Sequence, residues 1–343
     1  MGNMTPRRRQ DGAAILLALL IMTLVATLAV GMVWLQWRGI EVEAAERARA
    51  QGEWLLNASL DWGNLILKSS NRAPHTEDDL SQPWATPLEE TKLSSFLSAD
   101  GNHTDDSGPE AYLSGQITDA ESKYNLYNII LDQSKFDEIN RLKIICEAIG
   151  VEPAIADTIG AGLRDSATAQ QALTQANQPG NGQGGASGNN VLMPVQVADL
   201  AWYGIDPKVV KQLEPFVQLM PVATGQPMTT INANTAPAEV LMAALPGISR
   251  AQAQQLIVAR QSHPFTQQTD VSLAVGGSKA NQYAPPQGDP PVQYDVKSTY
   301  FEIYGQLRYE QHVIRERSVV FRSTNQFDPI LVLRRERIPP DAT

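Results

Sequence analysis

From Ala13 to Trp37 the chain runs through 25 uncharged, mostly apolar residues. A hydrocarbon core about 30 Å thick is crossed by roughly 20 helical residues, and one helix satisfies all its own backbone groups there. Arg7, Arg8 and Arg9 precede this run, and Trp34 and Trp37, followed by Arg38, close it. Basic residues at the entrance predict a cytosolic N-terminus, and the tryptophans predict an interfacial belt at the far end. The pattern then becomes amphipathic. Ala44, Ala48, Leu55, Trp62 and Leu65 recur at helical spacing, Glu41, Glu43, Glu46, Arg47 and Arg49 supply a polar face, and no proline occurs between Pro6 and Pro74. One continuous helix from Ala13 to about Lys68 would be roughly 80 Å long. An anchor followed by an ordinary core helix would give the same pattern.

Further along, residues 71–111 are polar and divided by Pro74, Pro83, Pro87 and Pro109, which predicts turns. Residues 115–131 read as a strand, a turn and a second short strand, with Asp119 and Asn125 bonding turn backbone through their short side chains. From Lys135 to Val222 the period is helical: Ile139, Leu142, Ile145, Cys146 and Ile149 share a face, Pro153 to Leu173 gives one or two helices, and Val195 to Leu219 another pair. Residues 177–190, rich in Gly, Asn and Gln, predict a mobile loop. Thr235 is the expected cap of a short helix ending at Pro246-Gly247, and a second helix follows from about Ser249 to Arg260. After a Pro/Gly/Gln loop near 276–291, Tyr300–Tyr309 and Val313–Phe321 alternate as an antiparallel hairpin, with Ile330–Leu333 as another strand.

Composition narrows the functional classes. At 343 residues and 43% hydrophobic content the chain has ample core for more than one domain. Residues 1–12 carry three Arg and one Asp, so the net charge of −10 becomes −12 for the remainder. An acidic ectodomain is a poor ligand for phosphates. The helix-hairpin-helix pattern around Gly247 nevertheless leaves DNA binding, as in a membrane-anchored DNA-uptake protein, as the rival reading, with Arg250 the one nearby base. Cys146 is the sole cysteine and sits in an apolar helical context, as a buried small hydrophobe would. The acidic groups Glu77-Asp78-Asp79 and Asp105-Asp106 lack calcium-loop spacing and read as solvated surface. His75, His103, His263 and His312 are isolated, and no nucleophile elbow, phosphate loop or CxxC is present. The chain is expected to be no enzyme.

Three fates fit the apolar segment. A cleaved secretory signal with its site at Ala29-Val30-Gly31 conflicts with the apolar run continuing past it, and an uncleaved anchor is the plain alternative. The third rests on Gly12. Basic residues, Gly12 and then the apolar run resemble a type IV prepilin leader, which a membrane peptidase cuts after the glycine, making Ala13 the first mature residue. Most such subunits carry Glu at the fifth mature position; here that residue is Leu17. The resemblance then narrows to the K-type minor pseudopilins of type II secretion. Gly115-Gln116-Ile117-Thr118-Asp119-Ala120 through Tyr124-Asn125-Leu126-Tyr127-Asn128 is similar to that family's G-x-I-x-D-A…N-L-x-N signature, with Tyr127 in place of the usual Asn. Ile231-Asn232-Ala233-Asn234-Thr235-Ala236 followed by Leu245-Pro246-Gly247-Ile248 is similar to its second signature.

The resemblance implies an α+β fold, with a long N-terminal helix packed on an antiparallel sheet and an inserted all-helical domain. It divides the chain into a leader (1–12), a transmembrane helix (13–37), a helix extension with the first part of the pilin-like domain (38–131), a helical insertion (132–228), and the hairpin unit with the C-terminal strands (229–343). It implies a place at the tip of a periplasmic pseudopilus, initiating its assembly, with the ectodomain outside the inner membrane. Its partners would be I-type and J-type minor pseudopilins, the inner-membrane assembly platform and the prepilin peptidase, with no nucleic acid. The family's calcium ligands reduce here to Asp157 and Asp165, with Arg164 adding a repelling charge, so no cofactor is carried over.

Overall fold

In the computed structural model the described residues are 11–70, 77–92, 111–132, 137–176, 192–223, 228–245, 247–275, 294–309, 312–325 and 327–339. Met1–Leu55 and Leu56–Thr343 form two units. Helix α1 spans Asp11–Ser70 without a break, as the proline-free sequence predicts. Its N-terminal part is long and apolar enough to cross a membrane, and Ile15, Leu20, Leu28 and Leu35 are among its exposed apolar side chains. The predicted leader arginines lie outside the described residues.

Within the second unit, α1 lies on an antiparallel sheet of five strands. These are β1 (Leu88–Lys92), β2 (Ala111–Asp119), β7 (Tyr300–Tyr309), β8 (His312–Phe321) and β9 (Leu331–Arg337), in the order β1-β2-β7-β8-β9. The alternation Phe301, Ile303, Gly305 faces the helix, and Tyr300 packs with Met220, Val319 and Phe321 on the other side. The helix residues in the core are Leu56, Leu60, Gly63 and Leu67. This corrects the expected face of Leu55, Trp62 and Leu65: Trp62 is 39% and Leu65 61% exposed. The reason is that side chains fill the space over two glycines, one on the helix and one on the sheet. A Cβ on Gly63 would meet Ile303 at 3.1 Å, and one on Gly305 would meet Leu56 at 3.1 Å. Gly305 is paired directly with Gly115 of β2, so the bulky tryptophan turns outward and the glycine turns in.

The remaining elements form a helical body. They are β3 (Tyr124–Asn125), α2 (Asn128–Leu131), α3 (Asp137–Ile149), α4 (Ala154–Ala176), α5 (Pro207–Leu213), β4 (Val217–Gln218), β5 (Ile231–Asn232), α6 (Ala238–Ala244), α7 (Arg250–Ser262), α8 (Gln268–Ala274) and β6 (Tyr294–Asp295). A 3-10 helix at Val197–Tyr203 precedes α5. One apolar core joins Leu142, Ile145, Ile159, Leu163 and Leu213 to Leu241, Leu256 and Val271. Helices on both sides of residue 228 therefore share a single interior. Two short parallel ladders, β3 with β4 and β5 with β6, return the chain to this body.

The hairpin differs from expectation in one detail. Helix α6 begins after Pro237, not at Thr235, because the Thr235 hydroxyl is engaged elsewhere. Ser249 caps α7 with a capping box to Gln252, and Gly247 turns the chain at φ +93.

Candidate functional site

The two signature segments, more than a hundred residues apart, converge on one carboxylate. Asp119, at the end of β2, is buried. Its Oδ1 accepts the Glu121 N–H at 2.8 Å. Its Oδ2 accepts from Thr235 Oγ1 at 2.5 Å, Ser298 Oγ at 2.7 Å and Asn232 Nδ2 at 2.9 Å. The same Asn232 amide also donates to the Asp78 carbonyl at 3.0 Å. Asp78 in turn accepts from Arg322 at 2.5 Å and from the Ser298 N–H at 2.9 Å. Arg322 reaches back to Ser70 at the end of α1, 3.0 Å away, and lies 4.5 Å over the ring of Phe301. One polar cluster thus fastens the helix, the sheet and both signatures together.

Asp78 and Asp79 were expected at a solvated surface; both are buried. Asp78 is neutralised by Arg322, and Asp79 caps the following turn by accepting the Ser81 N–H at 2.7 Å. Asp105-Asp106 lies outside the described residues. Burial raises the Asp119 carboxyl from 3.8 to about 6, against the pull of its hydroxyl donors. Glu121, which accepts the Thr299 N–H at 2.5 Å, is pushed well above the usual carboxylate range by burial and by the charge of Asp119. These groups are engaged by protein partners, and that arrangement fastens the fold.

A second fastening lies in the helical body. Glu138, raised by burial, accepts from the Tyr124 hydroxyl at 2.8 Å and from Arg141 at 3.1 Å, while Arg141 donates to the Ala243 carbonyl at 2.9 Å. Asn125 closes the turn as its sequence predicts, accepting the Tyr127 N–H at 3.2 Å and the Met220 N–H at 3.1 Å. Tyr127, the departure from the first signature, donates its hydroxyl to the Pro194 carbonyl at 2.8 Å. An asparagine is too short for that span.

The hairpin's bases are turned to the protein itself. Arg260 donates to the carbonyls of Ala233 at 2.8 Å and Ala236 at 2.7 Å, and desolvation lowers it to about 10. Arg250 pairs with Glu239 at 3.0 Å and with the Ala148 carbonyl. Neither arrangement is that of a phosphate site. Asp157 pairs with Lys143 at 2.8 Å. Among the described residues no group of three or more His, Cys, Asp or Glu is placed to hold a metal ion. Cys146 is buried, and its thiol is pushed up to about 11 by desolvation. The processing residues Gly12 and Ala13 and the fifth-position Leu17 fall within α1, away from these clusters in sequence, and Leu17 is exposed.

A long N-terminal helix, a five-stranded antiparallel sheet and a helical body make up an α+β fold. The family model of type II secretion system protein K matches residues 231–289. The type II secretion system protein K of Pseudomonas aeruginosa is 24% identical over 322 residues, spanning 88% of this chain and 85% of its own. The fold is also that of one chain in the crystal structure of the GspK-GspI-GspJ complex from the enterotoxigenic Escherichia coli type 2 secretion system. That match has a TM-score of 0.56 and 15% identity, and covers 86% of this chain and 98% of that one. Motifs, family model and fold agree in their similarity to protein K of the type II secretion system.

Proposed function

We propose that this subunit stands at the tip of the periplasmic pseudopilus, where it initiates assembly with I-type and J-type partners and assists protein export across the outer membrane. The observation that carries the reading is Leu17. Between Ala14 and Arg38 helix α1 offers no carboxylate, so this subunit cannot neutralise the N-terminal amine of a subunit stacked above it. A carboxylate inside a bilayer costs several kcal/mol and is retained only for such a role. The helical body on the same chain adds bulk that opposes further stacking. The fold match to a chain of a GspK-GspI-GspJ complex supports the choice of partners. The apolar run behind basic residues and Gly12 supports processing by a prepilin peptidase, delivery to the inner-membrane assembly platform, and a periplasmic ectodomain. The role is one of assembly and not of turnover.

A Leu17→Glu variant tests the tip assignment. Site-specific crosslinking is expected to find this subunit within the fibre as well as at its end, with secretion reduced. Unchanged location and secretion would mean that the missing carboxylate does not set the position.

A further inference from the structure

Strand β9 ends the sheet, and no described strand pairs with its outer edge. Unpaired edges are templates for pairing, and proteins usually blunt them with proline, lysine, bulges or a covering element; β9 has one irregularity, where its register with β8 shifts between Val319 and Val320. β9 (Leu-Val-Leu-Arg-Arg-Glu-Arg) contains neither proline nor lysine, and Leu331 is 49% and Val332 43% exposed. Phe327, in the turn before it, is 80% exposed. The charge here runs opposite to that of the chain. β8 and β9 together carry Arg315, Arg317, Arg334, Arg335 and Arg337 against Glu316 and Glu336, on a protein of net charge −10.

These arginines are also held in place. Arg334 donates to the Val195 and Leu219 carbonyls at 2.6 and 3.1 Å. Arg335 pairs with Glu316 at 3.1 Å and with Asn57 at 2.6 Å. Two β9 edges brought together would set net-positive strands against each other, which disfavours a second copy as occupant.

We propose that the outer edge of β9 receives an extended, acidic segment of another polypeptide by strand addition. Main-chain hydrogen bonds would supply affinity, Leu331 and Val332 the apolar contact, and the arginine-rich strands the selection for carboxylates. The test uses the full chain in a neutral detergent and a blocked heptapeptide of alternating Val and Glu. The peptide is expected to bind with half-saturation below about 1 mM, to weaken as salt rises, and to slow amide exchange across residues 331–337 about tenfold or more. The same peptide with alternate amides N-methylated keeps its charge but cannot extend the ladder, and is expected to bind at least about tenfold more weakly. Arg337→Glu should weaken the parent peptide by a similar factor. Equal binding of the methylated peptide, binding without protection of 331–337, or no binding up to about 1 mM overturns the proposal. The methylated-peptide comparison leaves the protein unaltered, so the test does not depend on the variant folding.

Discussion

At the residue scale, Asp119 is the point through which most of the joint passes. Replacing it with Ala leaves three buried donors, on Asn232, Thr235 and Ser298, without their acceptor. Orphaned buried donors each cost about 1–3 kcal/mol, so denaturant unfolding should show a loss of about 3 kcal/mol or more. The pH dependence has a definite sign. Because the folded carboxyl is raised from 3.8 to about 6, its stability contribution is fully present below the unfolded value and is lost as pH rises through the folded one. The stability gap between the parent protein and Asp119→Asn should therefore be wider at pH 5 than at pH 7, by about 1 kcal/mol; a gap that narrows at pH 5 contradicts this assignment. Arg322→Met would leave Asp78 buried without its cation. A charge orphaned in this way costs about 3–5 kcal/mol, measurable in the same titration.

At the scale of elements, much of the arrangement was legible in the chain. The proline-free run from Ala13 to about Lys68 and the 3.6-residue period predict α1, and period-two alternation predicts β7 and β8. The turn at Asn125 was readable because its partner Tyr127 lies two residues away. The buried face of α1 was not readable. Hydrophobic periodicity weights Trp62 and Leu65, whereas the interface is set by Gly63 against Ile303 and Ile117 and by Leu56 and Leu60 over Gly305, and glycines carry no apolar signal. Asp78 was misjudged for a similar reason: its partner Arg322 is 244 positions away, and a carboxylate among carboxylates resembles surface until that partner is known. Thr235 looked like a helix cap because its bond to Asp119 spans 116 residues. The glycine interface makes a prediction of its own. A Cβ on Gly115 would sit 2.9 Å from the Tyr304 carbonyl oxygen, and main chain cannot yield as a side chain can. Gly115→Ala should cost about 2 kcal/mol in thermal or denaturant unfolding, whereas Gly31→Ala, with nothing within 4 Å, should leave the unfolding of the second unit unchanged.

At the scale of the whole molecule, the chain joins an apolar helix to a body whose polar clusters are spent on holding itself together. Glu138, Asp78, Asp119 and Arg322 are satisfied by protein partners, Arg260 is bound to the Ala233 and Ala236 carbonyls, and Arg250 to Glu239 and the Ala148 carbonyl. That economy fits the assembly role proposed above. The processing at Gly12 is the claim on which the position depends, since it creates the N-terminus from which Leu17 is counted. Intact-mass and N-terminal peptide mass spectrometry of the protein isolated from membranes tests it most directly. The mature chain is expected to lack residues 1–12 and to begin at a methylated Ala13; a chain beginning at Met1 or at Met32 would contradict processing at Gly12.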